Sequence, residues 1–136
     1  MIFGYSVAHG RVNGDPSTAI AGSVCLLSPM QMGQAVKYQK KSGDVIDPAV
    51  LKELVRDLAM NFFAHKDEVP ERIIVFRDGG SEGSFQTIKN QEVAAVREAL
   101  CQLNKEANRA CPYSCPDRNC VGCAPTITFI VSNEVR

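Results

Sequence analysis

Apolar residues recur along this chain with two periods, and the switch between them divides it into elements. Met1 to Val7 (MIFGYSV) is short, apolar and β-prone. It runs into turn-forming residues, His9-Gly10-Arg11 and then Asn13-Gly14-Asp15-Pro16, so the first strand is expected to stop at Val7. Ser17 to Leu27 (STAIAGSVCLL) predicts a second strand, ended by Ser28-Pro29. Gln31 to Lys40, with Met32, Val36 and Tyr38 in alternation, predicts a third. Three strands with short joins read as an antiparallel meander.

The period then lengthens. Asp47-Pro48 is a helix start, with Asp47 as N-cap and Pro48 in the first helical position. Val50, Leu51, Leu54, Val55, Leu58, Ala59, Phe62 and Phe63 follow at three- and four-residue spacing to about His65. His65 is read as a cation at the helix end. Val69-Pro70 closes the connection, and Arg72 to Phe76 is a nearly continuous apolar run, the pattern of a strand covered on both faces. A second long helix is predicted from Phe85 to Ala107, with Ile88, Val93, Val96, Leu100 and Leu103 inward. Thr126 to Val131 (TITFIV) predicts a last buried strand. The order β-β-β-α-β-α-β describes an α/β domain, a meander followed by right-handed crossover units.

Composition narrows the picture. With 136 residues the chain makes one domain. Fifteen basic residues balance fifteen acidic ones, so net charge gives no case for nucleic acid, which would need a local site. No apolar run approaches the ~20 residues of a membrane span, so no membrane partner is expected. The N-terminus lacks the basic region of a secretory signal, which predicts an intracellular, reducing setting, cytoplasmic or nuclear. Cys25 and Cys101 sit inside apolar patterns and read as small buried hydrophobes.

The run IIVFRDGGSEGSF (Ile73 to Phe85) places Asp78 just past a central strand, with glycines beyond that let the backbone turn. A carboxylate at the carboxyl end of a strand in an open α/β sheet can reach a ligand or metal. It can equally pair with Arg77 or cap the next helix.

IIVFRDGGSEGSFQTIKNQEVAAVREAL resembles the segment of the Argonaute/Piwi family's PIWI domain in which a strand runs into Arg-Asp-Gly-x-Ser-Glu-Gly. The match continues through Phe85, Gln86, Glu92, Arg97 and Glu98. DPSTAIAGSV (Asp15 to Val24) and TITFIV are similar to the family's second strand and to the strand after its second helix. The resemblance implies a ribonuclease-H-like mixed sheet flanked by helices. It also implies that residues 1–136 form a single partial PIWI domain, without the C-terminal part and with a Cys-rich insertion at residues 108–125. Active members are guide-directed endoribonucleases that hold two divalent ions, with Mg²⁺ suited to such hard oxygen ligands. Asp78 falls on the family's second catalytic aspartate.

The other positions depart from the family. Its first strand ends Gly-x-Asp-Val-Thr-His-Pro, where this chain has Gly4-Tyr5-Ser6-Val7-Ala8-His9-Gly10. Gly4 and His9 match, but Ser6 replaces the metal-bridging aspartate. The family's glutamate aligns near Ile46, flanked by Asp44 and Asp47, and its final histidine would fall beyond Arg136. The resemblance therefore implies a domain that binds a small guide RNA and a target RNA in small-RNA-guided gene silencing. That role belongs in the context of a longer protein and of silencing-complex proteins, and without cutting. A slicer using divalent metal at Asp78 is the alternative. His9, Arg11, Lys37, Lys40 and Lys41 are candidate phosphate contacts or a solvated surface.

Cys111, Cys115, Cys120 and Cys123 crowd into thirteen residues. Four thiolates in one short loop suit a tetrahedral structural Zn²⁺, which makes a zinc-stabilised protein-interaction module a further alternative. A surface loop with free thiols is the plain reading.

Overall fold

Asn13 and Gly14 both have positive φ, 52° and 85°, the two-residue geometry whose twist suits a hairpin. They join β1 (Ile2–Val12) to β2 (Asp15–Cys25), and pairing runs unbroken from Phe3↔Val24 to Val12↔Asp15. The expected stop at Val7 is therefore corrected. Asn-Gly alone reverses the chain, so His9, Gly10 and Arg11 remain extended ladder residues rather than a loop.

The computed structural model describes residues 1–26, 31–40, 46–65, 72–79, 85–106 and 126–132. β3 (Met32–Gln39) completes the meander. α1 (Pro48–His65) leads to β4 (Arg72–Asp78), and α2 (Phe85–Glu106) to β5 (Thr126–Ser132). β4 lies parallel to both β1 and β5, so the sheet order is β3-β2-β1-β4-β5. The predicted element order is the observed one.

Local chemistry explains the helix ends. The Asp47 carboxylate accepts a hydrogen bond from the Ala49 amide at 3.0 Å, as an N-cap should. The Gln39 side chain accepts from the Asp47 amide at 2.8 Å, which ties the cap to β3. His65 donates from Nδ1 to the Asn61 carbonyl at 2.9 Å in the last turn. Leu51, Leu54, Val55, Leu58, Ala59 and Phe62 form the buried stripe of α1, and full burial of each large side chain contributes about 1.5–3 kcal/mol. α1 packs on β2 and β3, α2 on β5, and the helices on each other.

Both helices cover one side of the sheet. Phe3, Tyr5, Ile73 and Val75 are buried beneath them, while strand alternation sends Ile2, Gly4, Ser6, Ile74, Phe76 and Asp78 to the other face. Phe76 is 48% exposed there. The expectation that Arg72–Phe76 is covered on both sides is thus corrected for the described residues: β4 alternates, and only one of its two apolar faces meets a helix. β5 is an edge strand of exposed and half-buried positions, not a buried one. Val93 is half-buried, and Glu92 takes the core-facing position expected of it. Cys25 and Cys101 are half-buried rather than core residues.

Candidate functional site

Asp78 is the last residue of β4 and is exposed on the open face. Its Cα partners are Ser6 on β1 and Ser132 on β5, so three neighbouring parallel strands present Ser6, Asp78 and Ser132 in one row. Ser132 donates from Oγ to Asp78 Oδ1 at 3.3 Å, and the Gly79 amide donates to the Ser132 carbonyl at 3.1 Å. Ser6 thus stands beside Asp78, about 4.8 Å away across the ladder, where the resemblance puts a bridging carboxylate. Ile46, aligned with the family's glutamate, is buried in the core.

Among the described residues, this donor set does not fit two divalent ions. One carboxylate and neutral hydroxyls cannot balance two close cations, and no group of three or more His, Cys, Asp or Glu among the described residues could hold a metal. Asp44 and the four cysteines Cys111, Cys115, Cys120 and Cys123 lie outside the described residues.

Beneath the row is a buried polar network. Because β-strands alternate, Tyr5 and Arg77, the chain neighbours of Ser6 and Asp78, point the opposite way and are themselves register partners. Both reach Glu92 on α2. Tyr5 donates from its hydroxyl to Glu92 Oε1 at 2.6 Å, and Arg77 donates from Nε to the same oxygen at 3.2 Å. The Arg77 guanidinium also lies 6.0 Å from the Tyr5 ring centroid. Arg77 is 0% exposed and Glu92 1%, so this is an ion pair removed from water. Arg77 also reaches Asp78 through the backbone. Its Nη1 donates to the Asp78 backbone carbonyl at 2.6 Å. One carboxylate therefore ties together the strand ends that carry Ser6 and Asp78.

The electrostatics follow from burial. Burial raises the Glu92 carboxyl above its ordinary value, against the Tyr5 hydrogen bond and the Arg77 charge. Burial first, and then the Glu92 charge, push the Tyr5 hydroxyl well above the phenolic range. Glu92 Oε2 is buried with no hydrogen-bond partner. Gly79 has φ +95° and lies over this network, where a Cβ would sit 3.2 Å from Arg77 Nη1.

The candidate phosphate contacts do not converge on Asp78. His9 and Arg11 have the parity of the helix-side residues. His9 Nδ1 lies 3.2 Å from Thr18 Oγ1, and Arg11 donates from Nη1 to the Gly14 carbonyl at 3.4 Å. Lys37 bridges Asp57 on α1 at 2.8 Å. Lys40 is exposed at the end of β3, and Lys41 lies outside the described residues. Sequence reasoning missed the Tyr5–Arg77–Glu92 network. Its signal was present: an arginine in the strand pattern, and a glutamate spaced midway between Ile88 and Val96 on the inner stripe of α2.

Comparison with known proteins agrees with this geometry. The sequence matches the Piwi domain family over residues 1–119. "Putative protein tag-76" of Caenorhabditis elegans is 36% identical over 111 residues, covering 78% of this chain and 10% of that protein. "Protein argonaute" of Giardia intestinalis is 33% identical over 69 residues, covering 51% of this chain and 8% of that protein. The chain thus spans about a tenth of the length of the curated relatives it matches. Among solved structures, the C-terminal lobe of a budding yeast Argonaute superposes with a TM-score of 0.74 at 19% identity, covering 96% of this chain and 23% of that one. Kluyveromyces polysporus Argonaute with a guide RNA gives 0.73 at 18%, covering 99% and 15%. These likenesses establish the ribonuclease-H-like fold. Together with the Arg-Asp-Gly strand end and the matched residues, they make the chain a member of the Piwi domain family.

Proposed function

We propose that this domain binds RNA in small-RNA-guided gene silencing and does not cut it. The single observation that supports this reading is Ser6 in the position beside Asp78. Two-metal hydrolysis needs carboxylates that hold both ions and lower the pKa of the attacking water. A hydroxyl beside one carboxylate supplies neither the charge nor the coordination. In this reading Asp78 is a polar strand end, bonded to Ser132 and fixed from below through its carbonyl. The partners are a small guide RNA and its target, together with silencing-complex proteins, in the cytoplasm or nucleus. The guide RNA in the Kluyveromyces polysporus Argonaute structure supports that assignment by family.

The test is to purify the natural protein from its cells and sequence the RNA it carries. A bound population of small RNAs, retained by Asp78→Ala, is the expected result. A protein free of small RNA overturns the reading.

A further inference from the structure

We propose that the recess between the β1–β2 turn and the end of β3 takes one unstacked nucleotide of single-stranded RNA, with its base on Tyr38 and its phosphate on Lys40. This rests on the RNA-binding reading above and adds to it a defined subsite and a base preference. The recess is a cavity of about 460 Å³, lined in part by Asn13, Asp15, Ser17, Tyr38 and Lys40.

Tyr38 is 67% exposed, the highest value among the exposed large hydrophobics of the described residues. The register explains why. Ala8, Ala19 and Tyr38 lie in one register row across three strands, so the ring's cross-strand neighbour on its own face of the sheet is only a methyl group. An exposed aromatic of this kind gains from stacking on any base. Lys40 follows two residues later and lines the same cavity, which suits a backbone phosphate. Its exposure leaves it available, unlike Lys37, which is committed to Asp57.

The far wall supplies base selection. Asn13, in the left-handed conformation, and Gly14 fold the hairpin back, and Arg11 reaches the Gly14 carbonyl within the turn. Asp15, the first residue of β2, brings a carboxylate that only accepts hydrogen bonds when ionised. It suits the exocyclic amino group of cytosine and opposes the O4 carbonyl that uracil carries there. Tyr38 also shares the open face with Ser6 and Asp78. It is three strands from Asp78, about 14 Å across the sheet, so a bound strand would run along one continuous surface.

The experiment uses the natural protein and two fluorescent probes, hexacytidylate and hexauridylate, with binding read by anisotropy. The expected result is preference for hexacytidylate. Tyr38→Ala should weaken binding about 5- to 150-fold, and Tyr38→Phe should restore it. Lys40→Gln should lower the slope of log affinity against log salt by about one, and Asp15→Asn should erase the base preference. Unchanged circular dichroism will show that these exposed substitutions leave the fold intact. Binding by Tyr38→Ala within twofold of the unaltered protein, or equal binding of the two probes, overturns the subsite and leaves the RNA-binding reading standing. A dimer dissolved by Tyr38→Ala with unchanged RNA affinity assigns the face to a second copy and overturns it as well. Failure of the unaltered protein to bind either probe tells instead against RNA binding itself.

Discussion

Replacing Arg77 by methionine tests whether the buried network holds the strand ends together. The guanidinium is 0% exposed and its partner Glu92 1% exposed. Its removal leaves a buried carboxylate with only the Tyr5 hydroxyl and frees the Asp78 carbonyl. Breaking one half of such a pair costs about 3–5 kcal/mol. For a unit of 136 residues, an unfolding entropy of about 2.1 cal/mol/K per residue converts each kcal/mol into about 3.5 °C, so Tm should fall by about 10–17 °C. Lys37→Ala is the control. Its bridge to Asp57 joins side chains that are 30% and 44% exposed, and such pairs contribute about 0–1 kcal/mol, within about 4 °C. The double variant Arg77→Met with Glu92→Leu should recover most of the loss, because apolar replacement of both partners is often neutral or better. It should not recover slow amide exchange at Gly79, because the clamp on the Asp78 carbonyl is gone. The assay is a thermal melt paired with hydrogen exchange. An Arg77→Met shift no larger than that of Lys37→Ala would refute the reasoning, as would a double variant as unstable as the single one.

Three further outcomes follow from the same geometry. Ser6→Asp puts a second carboxylate beside Asp78 on an exposed surface; titration calorimetry should show Mn²⁺ binding tighter than that of the unaltered protein, and no gain would break the proposed link between Ser6 and metal binding. Gly79→Ala forces an L side chain into φ +95° at a cost of about 1–3 kcal/mol; an unchanged melting temperature would count against strain at this turn. Glu92 sets a pH slope: its folded carboxyl is raised above the ordinary 4.5, so the folded state holds this proton to higher pH than the unfolded chain. The stability it contributes is complete below about 4.5 and is lost as pH rises through the raised value. The Tm of the unaltered protein relative to Glu92→Gln should therefore drift downward over that range, and a flat or rising difference would contradict the direction of the shift.

Much of the fold was legible because its signals are local. Asp47-Pro48 announced α1, the spacing from Leu51 to Phe62 its buried face, and the Arg-Asp-Gly strand end the family. What sequence obscured depended on which surfaces meet. An apolar run such as Ile73–Phe76 says that both faces of a strand are apolar, not that both are covered, and Phe76 is half-exposed. The Asn-Gly turn was visible, but its consequence, an unbroken ladder from Phe3 to Val12, depended on pairing. At the site, Ser6 and Asp78 were each identifiable by position, and the parallel register put them side by side. Tyr5, Arg77 and Glu92 are separated by up to 87 residues, and no local pattern joins them. Lys37 was a basic residue like any other until α1 brought Asp57 to it.

We propose above that Ser6 beside Asp78 leaves an RNA-binding domain without the means to cut. The direct measurement is cleavage: the natural protein, carrying its own small RNAs, is given a fully complementary target with Mg²⁺ and the products are resolved by length. The target should be retained intact. A discrete product cut opposite the guide, lost in Asp78→Ala, would contradict that proposal.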